Sequence, residues 1–528
     1  MASGDQFPAR SIGLKPERSQ NSAALTHLLG QGVVRFNMHG SVTSALFAVL
    51  VLLASCSSSD SPAGESTTTS ESPAGESSTT SESSAGESEP VVELVETAVD
   101  RSLARFGPAP DVPTGPLSAA TAEALDRLFG SFSAGTDFEA LAVVAEADDA
   151  RIAWLITDTL RFTGLGSLQD ELVATWESLT GTDLPDSRTS WGESTDHLIA
   201  WDLPAPPGYI DWKSQLFELV EPGWAPFFDD PDATIDWRWV SWGGVLIDDR
   251  PIDDADSLCQ RGCIPALNDP ALTDAAGGAW YADDAVVFGV EVNGAAVAFP
   301  KNIMEVHEMT NMNIGGRRIA MPYCTLCGSA QAYFTDDIVD DVLVDGAYEL
   351  RTSGLLSRSN KVMFELQTRS VFDTFTGEAV TGPLREAGVW LEEISVRTST
   401  WGDWKALHPD TKIVAEDGGI GRTYRADPLN GRDDDGPIFP IGNADGRLGV
   451  QEAVLGIVTE DGVSIAFPVE AALTALNDGQ IVAVDGIELS ADAAGLAAFD
   501  ADGTEVTAHQ SFWFAWSQFH PDTLLWAP

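Results

Sequence analysis

The chain has 528 residues, and its 44% hydrophobic content is that of a globular protein with a sizeable core, which excludes disorder throughout. It carries 81 acidic against 29 basic residues, a formal charge of −52 spread along its length. Nucleic acid and anionic membrane surfaces are excluded as partners of the folded part, because both demand clustered Lys and Arg; the acidity fits solubility in a salty or extracellular medium.

The first feature in chain order is Ala45–Ala54, a run of ten apolar residues followed by Ser55 and Cys56. At about 1.5 Å per residue this run is too short to span a bilayer, but it suits the apolar core of a secretion signal. The ending Leu53-Ala54-Ser55-Cys56 resembles a bacterial lipobox, which implies cleavage before Cys56 and lipid attachment to its sulfur. The alternative is an incidental thiol beside an ordinary signal. No Lys or Arg lies between Met38 and the apolar run, whereas Arg35 lies just upstream, which points to a start before Met38. Residues 56–90 form a Ser/Thr/Gly/Glu tract in which Ala-Gly-Glu-Ser occurs three times, the composition of a flexible, self-repelling spacer. Leader (1–55), spacer and folded body together read as an exported lipoprotein, tethered to the cell membrane through Cys56 and facing outward. Disulfides persist in that compartment.

Residues 91–203 read as a helical domain. Leu125, Leu128, Phe129 and Phe132 recur at helical spacing; Ile152, Leu155, Ile156 and Leu160 do so again, then Leu168, Leu172, Trp176 and Leu179. Breaks at Gly130, Gly164 and Thr180-Gly181 predict successive short helices stacked as a small bundle or solenoid, with the stripes as core. Residues 204–280 are dense in Trp, Pro and Asp, with little sustained periodicity, and predict an irregular connector packed by its tryptophans onto the next domain.

From residue 281 the pattern changes to short alternating strands. Val286–Pro300 has Asn293-Gly294 between two strand-like runs, a strong hairpin signal, and Ala453–Pro468 repeats the design around Asp461-Gly462. Ser399–Ala415 and Ser511–Ala527 echo each other through a Trp-containing helix and His-Pro-Asp-Thr. These echoes predict two tandem related units, 281–420 and 421–528, the second shorter: 108 positions separate Pro300 from His408, and 52 separate Pro468 from His520. The fold class is α+β, a small helical domain followed by a mainly β region.

His408 and His520 share one context in both units, where the Pro-Asp turn serves as a helix stop. The longer unit alone carries His307-Glu308 with Asn311, Cys324-Thr-Leu-Cys327-Gly328 and Thr352–Asn360, which concentrates candidate chemistry in about residues 301–375. At these residues the sequence resembles the bacterial and archaeal family catalogued as domain of unknown function 3179. The resemblance rests on the hairpin Gly289–Pro300, His307-Glu308 with Asn311, Tyr323–Gly328, Ser353–Ser359 and Thr376-Gly377 through Leu384, and covers the chain from about Cys259 onward. It implies no established reaction. Three positions depart from the family pattern: Met312 for Asp, Thr325 for Pro and Phe372 for Trp.

The flanks of Cys324 and Cys327 both read as strands, so the pair belongs in a strand-to-strand turn and lacks the helix dipole that activates a redox thiol. Such a turn suits a metal knuckle, with Gly328 permitting positive φ. His307, seventeen residues upstream on a short predicted helix, is the candidate third ligand. Glu308 or water would complete the set, or Glu308 would orient the imidazole or act as a base. Two thiolates and an imidazole fit zinc or copper rather than magnesium or calcium. A c-type haem is excluded because Gly328, not His, follows Cys327. No nucleotide-cofactor motif is present, and no Gly-x-Ser-x-Gly elbow supports Ser353 as a nucleophile. Asn311, Tyr323, Ser353 and Asn360 are further candidate pocket residues.

Three functional readings stand side by side. The first is a surface metal-binding protein using His307, Cys324 and Cys327, with redox or metal-handling activity. The second is a thiol–disulfide oxidoreductase using Cys324 and Cys327. The third is a non-catalytic extracellular binding module. Cys259 and Cys263 are assigned to a local disulfide; joining Cys324 and Cys327 in a four-cysteine structural zinc site is the alternative.

Overall fold

The computed structural model describes residues 105–184, 189–252, 259, 262–339, 344–432 and 436–528. The leader, the spacer and Cys56 lie outside the described residues. Six helices open the described body: α1 (Ala119–Ser131), α2 (Phe138–Ala145), α3 (Ala153–Phe162), α4 (Ser167–Thr180), α5 (Ser190–Ala200) and α6 (Tyr209–Val220). Ser118 and Asp137 cap α1 and α2 by accepting from the backbone N–H groups of Thr121 and Ala140. Gly181, at φ 67°, ends α4 in the left-handed conformation that favours glycine. Leu125, Leu128, Ile152, Leu155, Leu172 and Trp176 are buried, as their periodicity predicts.

Helix α6 corrects the reading of 204–280 as wholly irregular. Tyr209, Trp212, Lys213, Leu216 and Phe217 are buried at helical spacing, but the flanking Pro and Gly residues break the pattern on both sides. One member of the stripe is the charged Lys213, whose Nζ donates to Asp158 Oδ1 (2.8 Å), the Tyr209 hydroxyl (3.0 Å) and the Val240 carbonyl (2.7 Å). All three ammonium protons are thereby used, the condition under which a lysine tolerates complete burial.

The helices are not a separate domain. One continuous core joins residues of all six helices to Leu355, Val362, Phe364, Val371 and Val380 of the β region. Within 204–280, Trp224 is fully buried and donates from its indole to the Ser353 carbonyl (2.7 Å), while β1 (Val240–Trp242) pairs antiparallel with the strand that carries Leu355–Ser357.

The β region continues with the hairpin β2 (Val286–Val292) and β3 (Ala295–Pro300), α7 (Lys301–His307), β4 (Met309–Ile314), β5 (Arg317–Cys324), β6 (Ser329–Ala330) and β7 (Ala332–Phe334). Then come β8 (Leu350–Ser357), β9 (Asn360–Glu365), β10 (Val371–Asp373), β11 (Arg397–Thr400), α8 (Trp401–Leu407) and β12 (Lys412–Val414). The chain ends with β13 (Ala453–Val458), β14 (Ser464–Pro468), α9 (Val469–Asn477), a four-stranded meander around Ile487–Phe499, β15 (His509–Phe512), α10 (Trp513–Phe519) and β16 (Leu524–Leu525). Asn293 and Gly294 both have positive φ, at 51° and 78°, so the predicted hairpin turn is of the primed kind.

Two of the sheets have the same strand order. In the first, β11 pairs antiparallel with β2, β2 antiparallel with β3, and β3 parallel with β12; in the second, β15, β13, β14 and β16 stand in the same relations. Trp404 and Trp516 each lie on a glycine of the second strand, Gly289 and Gly456, where a Cβ would run into the indole. Each indole donates to a threonine, Thr411 or Thr523, at 2.9 Å. His408 and His520 cover the rings at centroid distances of 4.1 and 4.2 Å. The His-Pro-Asp-Thr motif is thus used to seat a tryptophan.

Gly289→Ala and Gly456→Ala are each expected to destabilise the protein by about 1–3 kcal/mol, the usual cost of overpacking, read as a lower urea midpoint with an unchanged slope.

Candidate functional site

Strand β5 ends at Cys324, a 3-10 turn carries Thr325–Cys327, and Gly328 at φ 59° returns the chain into β6. Cys324 pairs with Ser329 across this turn, so the cysteine motif is the strand-to-strand turn that its flanks predict. Both cysteines are buried, no disulfide joins them, and their sulfurs lie 2.6 Å apart. Both donate to the Ser359 carbonyl at the tip of the β8–β9 hairpin, Cys327 at 3.3 Å and Cys324 at 3.9 Å.

The two sulfurs are not equivalent. Cys324 lines a cavity of about 70 Å³, whose polar wall also includes Glu308, Thr325, Thr352 and Lys361. Val245, Leu326, Leu355 and Phe439 supply apolar wall. Cys327 does not line the cavity; both cysteines belong to an apolar cluster with Phe375, Trp513 and Trp516, and burial pushes the Cys327 thiol well above the ordinary range.

Lys361 is the residue that sequence reasoning missed. Its ammonium donates to the backbone carbonyls of Glu308 and Tyr323 and lies 3.8 Å from Glu308 Oε2. Desolvation draws its pKa down to about 8, against the opposing pull of the Glu308 carboxylate. Burial likewise raises the pKa of Glu308, partly offset by Lys361 and by a 3.0 Å hydrogen bond from Thr325 Oγ1. Glu308 caps α7 at φ 52°, a left-handed conformation that costs a non-glycine residue on the order of 1 kcal/mol. That strain aims the carboxylate at the turn and the main-chain carbonyl at Lys361.

The expected ligand set of His307, Cys324 and Cys327 is not assembled. His307 Nδ1 lies 2.7 Å from the Pro265 carbonyl, so it carries the proton and donates; Nε2 then accepts from the Tyr424 hydroxyl at 2.7 Å. Its free lone pair is thus committed to a phenol. The only group of three metal-ligating side chains among the described residues is Asp248, Cys259 and Cys263, with ligand atoms within 4.8 Å of one another. Cys259 and Cys263 are joined in a disulfide, so they offer no thiolates, and the four-cysteine alternative is likewise not assembled. Asp248 is spent on Arg250, Arg351 and the Ala266 amide.

Of the other candidates, Asn311 bridges β4 to Leu350 by accepting from its amide and donating to its carbonyl. Ser353 Oγ donates to the Val362 carbonyl and accepts from the Leu355 amide, and Tyr323 packs on Phe288 at 4.7 Å. None of these three lines the cavity, and neither does Asn360, which is buried at the hairpin tip beside Ser359. Only Glu308 joins Cys324 at the cavity from the sequence-derived set.

Fold and site define an α+β protein that holds a buried dithiol beside a buried lysine. Residues 261–523 match the family described as Protein of unknown function (DUF3179), and the chain belongs to that family through this region. Neither the curated proteins nor the solved structures include a match to the chain.

Burial lowers the pKa of His307 to about 4. Between about 6.5, where the unfolded chain takes up a proton, and 4, the folded state stays neutral, so stability falls as pH drops through this window. His307→Gln is expected to flatten that part of the pH dependence of the urea midpoint relative to the parent; an unchanged slope removes this assignment.

Proposed function

We propose that the protein is a surface-tethered redox protein in which Cys324 and Cys327 cycle between dithiol and disulfide. The observation that carries this reading is the pair itself: two sulfurs 2.6 Å apart, one facing a cavity that also holds Lys361. Two thiolates on one tetrahedral zinc, each about 2.3 Å from the metal, stand about 3.7 Å apart, whereas disulfide sulfurs are about 2.05 Å apart. The observed spacing is nearer the second. A helix dipole is missing from the turn, and the positive charge that shares the cavity with Cys324 is the Lys361 ammonium.

Zinc or copper bound by Cys324 and Cys327, with Glu308 or water completing the set, is the second reading. It is favoured by Gly328, whose positive φ turns both sulfurs to one side as a knuckle does. It no longer has His307 as a ligand. The lipid anchor at Cys56 and an outward-facing location belong to the proposal and rest on the lipobox-like sequence alone. Duplication of one β unit also belongs to the proposal, and the shared strand order and the matched Trp-on-Gly contacts support it.

Protein from the exported fraction is expected to contain no stoichiometric metal, and its Cys324–Cys327 pair to lose two hydrogens reversibly on treatment with diamide and then dithiothreitol, followed by alkylation and mass spectrometry. In the single variants, Cys324 in Cys327→Ser is expected to alkylate faster than Cys327 in Cys324→Ser. One zinc or copper per chain, lost in Cys324→Ser, would place the metal reading first.

A further inference from the structure

We propose that the oxidant of this site is a small hydroperoxide, hydrogen peroxide or a short alkyl hydroperoxide, and that Cys324 is the attacking sulfur. This rests on the redox reading of the pair and names its substrate class.

Size selects the oxidant. Exchange with a protein disulfide requires the thiolate, the attacked sulfur and the departing sulfur to lie in line, which brings polypeptide up to the nucleophile. Cys324 is 2% exposed and Cys327 is fully buried, in a protein whose cavity at Cys324 measures about 70 Å³. With one water needing about 10–15 Å³ of such space, that cavity admits a small molecule, while the burial of both sulfurs keeps a protein disulfide from lining up with them. One wall is closed by backbone: the Gly243 amide donates to the Gly354 carbonyl at 2.9 Å, and a Cβ on Gly243 would press on that carbonyl and on Leu356.

Polarity selects within that size. Glu308, Thr325, Thr352 and Lys361 are the polar residues that line the cavity with Cys324, while Val245, Leu355 and Phe439 are apolar wall. A hydroperoxide has a polar O–O–H end and, in the alkyl case, a short apolar end. At the hairpin tip whose carbonyl receives both thiols, Ser359 Oγ and both polar atoms of the Asn360 side chain are buried without partners. Polar capacity next to the sulfurs therefore exceeds what the fold itself uses.

The chemistry balances. The Cys324 thiol gives up its proton to water, which returns one to Lys361 at the end of the step; the sulfur attacks the terminal oxygen of ROOH, an S–O bond forms and the O–O bond breaks. Two electrons pass from sulfur to the peroxide, and the departing alkoxide, or hydroxide where R is hydrogen, takes a proton from the Lys361 ammonium. The products are Cys324 sulfenic acid and ROH. Cys327 then attacks the sulfenic sulfur, the S–S bond forms, and the hydroxyl leaves as water with the Cys327 proton. The sulfurs are already in contact, so condensation needs no backbone movement. A small external dithiol closes the cycle.

The full chain, reduced and desalted, is mixed with hydrogen peroxide, and oxidation of Cys324 and Cys327 is followed by quenched alkylation and mass spectrometry. The expected rate constant exceeds that of free cysteine at the same pH by about 100-fold, the low end of what a positioned acid contributes. Lys361→Met is expected to lose most of that excess. Cys327→Ser, which keeps Cys324 and Lys361, is expected to stop at the sulfenic acid and be trapped by dimedone, so the inference stays testable if the lysine variant does not fold. A rate equal to that of free cysteine, together with rapid oxidation by an oxidised protein dithiol, overturns the inference and leaves the redox reading standing with a disulfide substrate. A pair that no reagent converts to a disulfide overturns the redox reading as well.

Discussion

A lysine ammonium withdrawn from water must find acceptors, and around Lys361 that requirement organises the site. It is met by two main-chain carbonyls, from Glu308 at the end of α7 and Tyr323 near the end of β5, and by the Glu308 carboxylate. Three elements distant in sequence are therefore held to one point: the helix after the first hairpin, the strand leading into the cysteine turn, and the β8–β9 hairpin. The left-handed backbone at Glu308 is maintained against its cost because one residue supplies both the carbonyl and the carboxylate. Lys213 is buried by the same rule, where three satisfied protons tie α3, α6 and β1 together. The difference lies in what each charge faces: Lys213 lies among structural groups, Lys361 beside a thiol at a cavity.

The β region separates scaffold from chemistry. Its two sheets of matched strand order share tryptophans lying on glycines and histidines covering tryptophans, and none of those residues lines the cysteine cavity. The segments present only in the longer stretch supply the cysteine turn, the hairpin with Lys361 and the Glu308 cap. The shorter stretch still contributes, because Phe512 covers Gly328 and Trp513 and Trp516 pack around Cys327. Val245 and Phe439 extend the wall from outside both.

Local pattern made much of this legible. The helical stripes, the Asn293-Gly294 hairpin and the turn geometry of Cys324–Gly328 depend on neighbours in sequence, and each takes the form that its residues favour. Helix α6 was obscured because Pro and Gly on both sides cut its periodic run short and one of its buried positions is a lysine. His307 was placed at the right end of the right helix, but its side-chain direction is set by Pro265 and Tyr424, contacts that no spacing encodes. Lys361 stands in Asn-Lys-Val-Met-Phe-Glu, where a lone lysine reads as a solvated strand position. Only the burial of its whole strand reveals its role, and that is a tertiary property. Glu308 was singled out by its neighbour His307, yet acts with a different partner.

The covering of Gly328 by Phe512 sets an order of events during biosynthesis. The cysteine turn and its lysine are made before Phe512, Trp513 and Trp516, aromatic residues that pack around the turn. Until they arrive, both thiols stand open to any disulfide-forming catalyst they meet. Afterwards, access narrows to the one cavity. Completion of the C-terminal sheet thus moves the pair from the reach of large reagents to that of whatever the cavity admits.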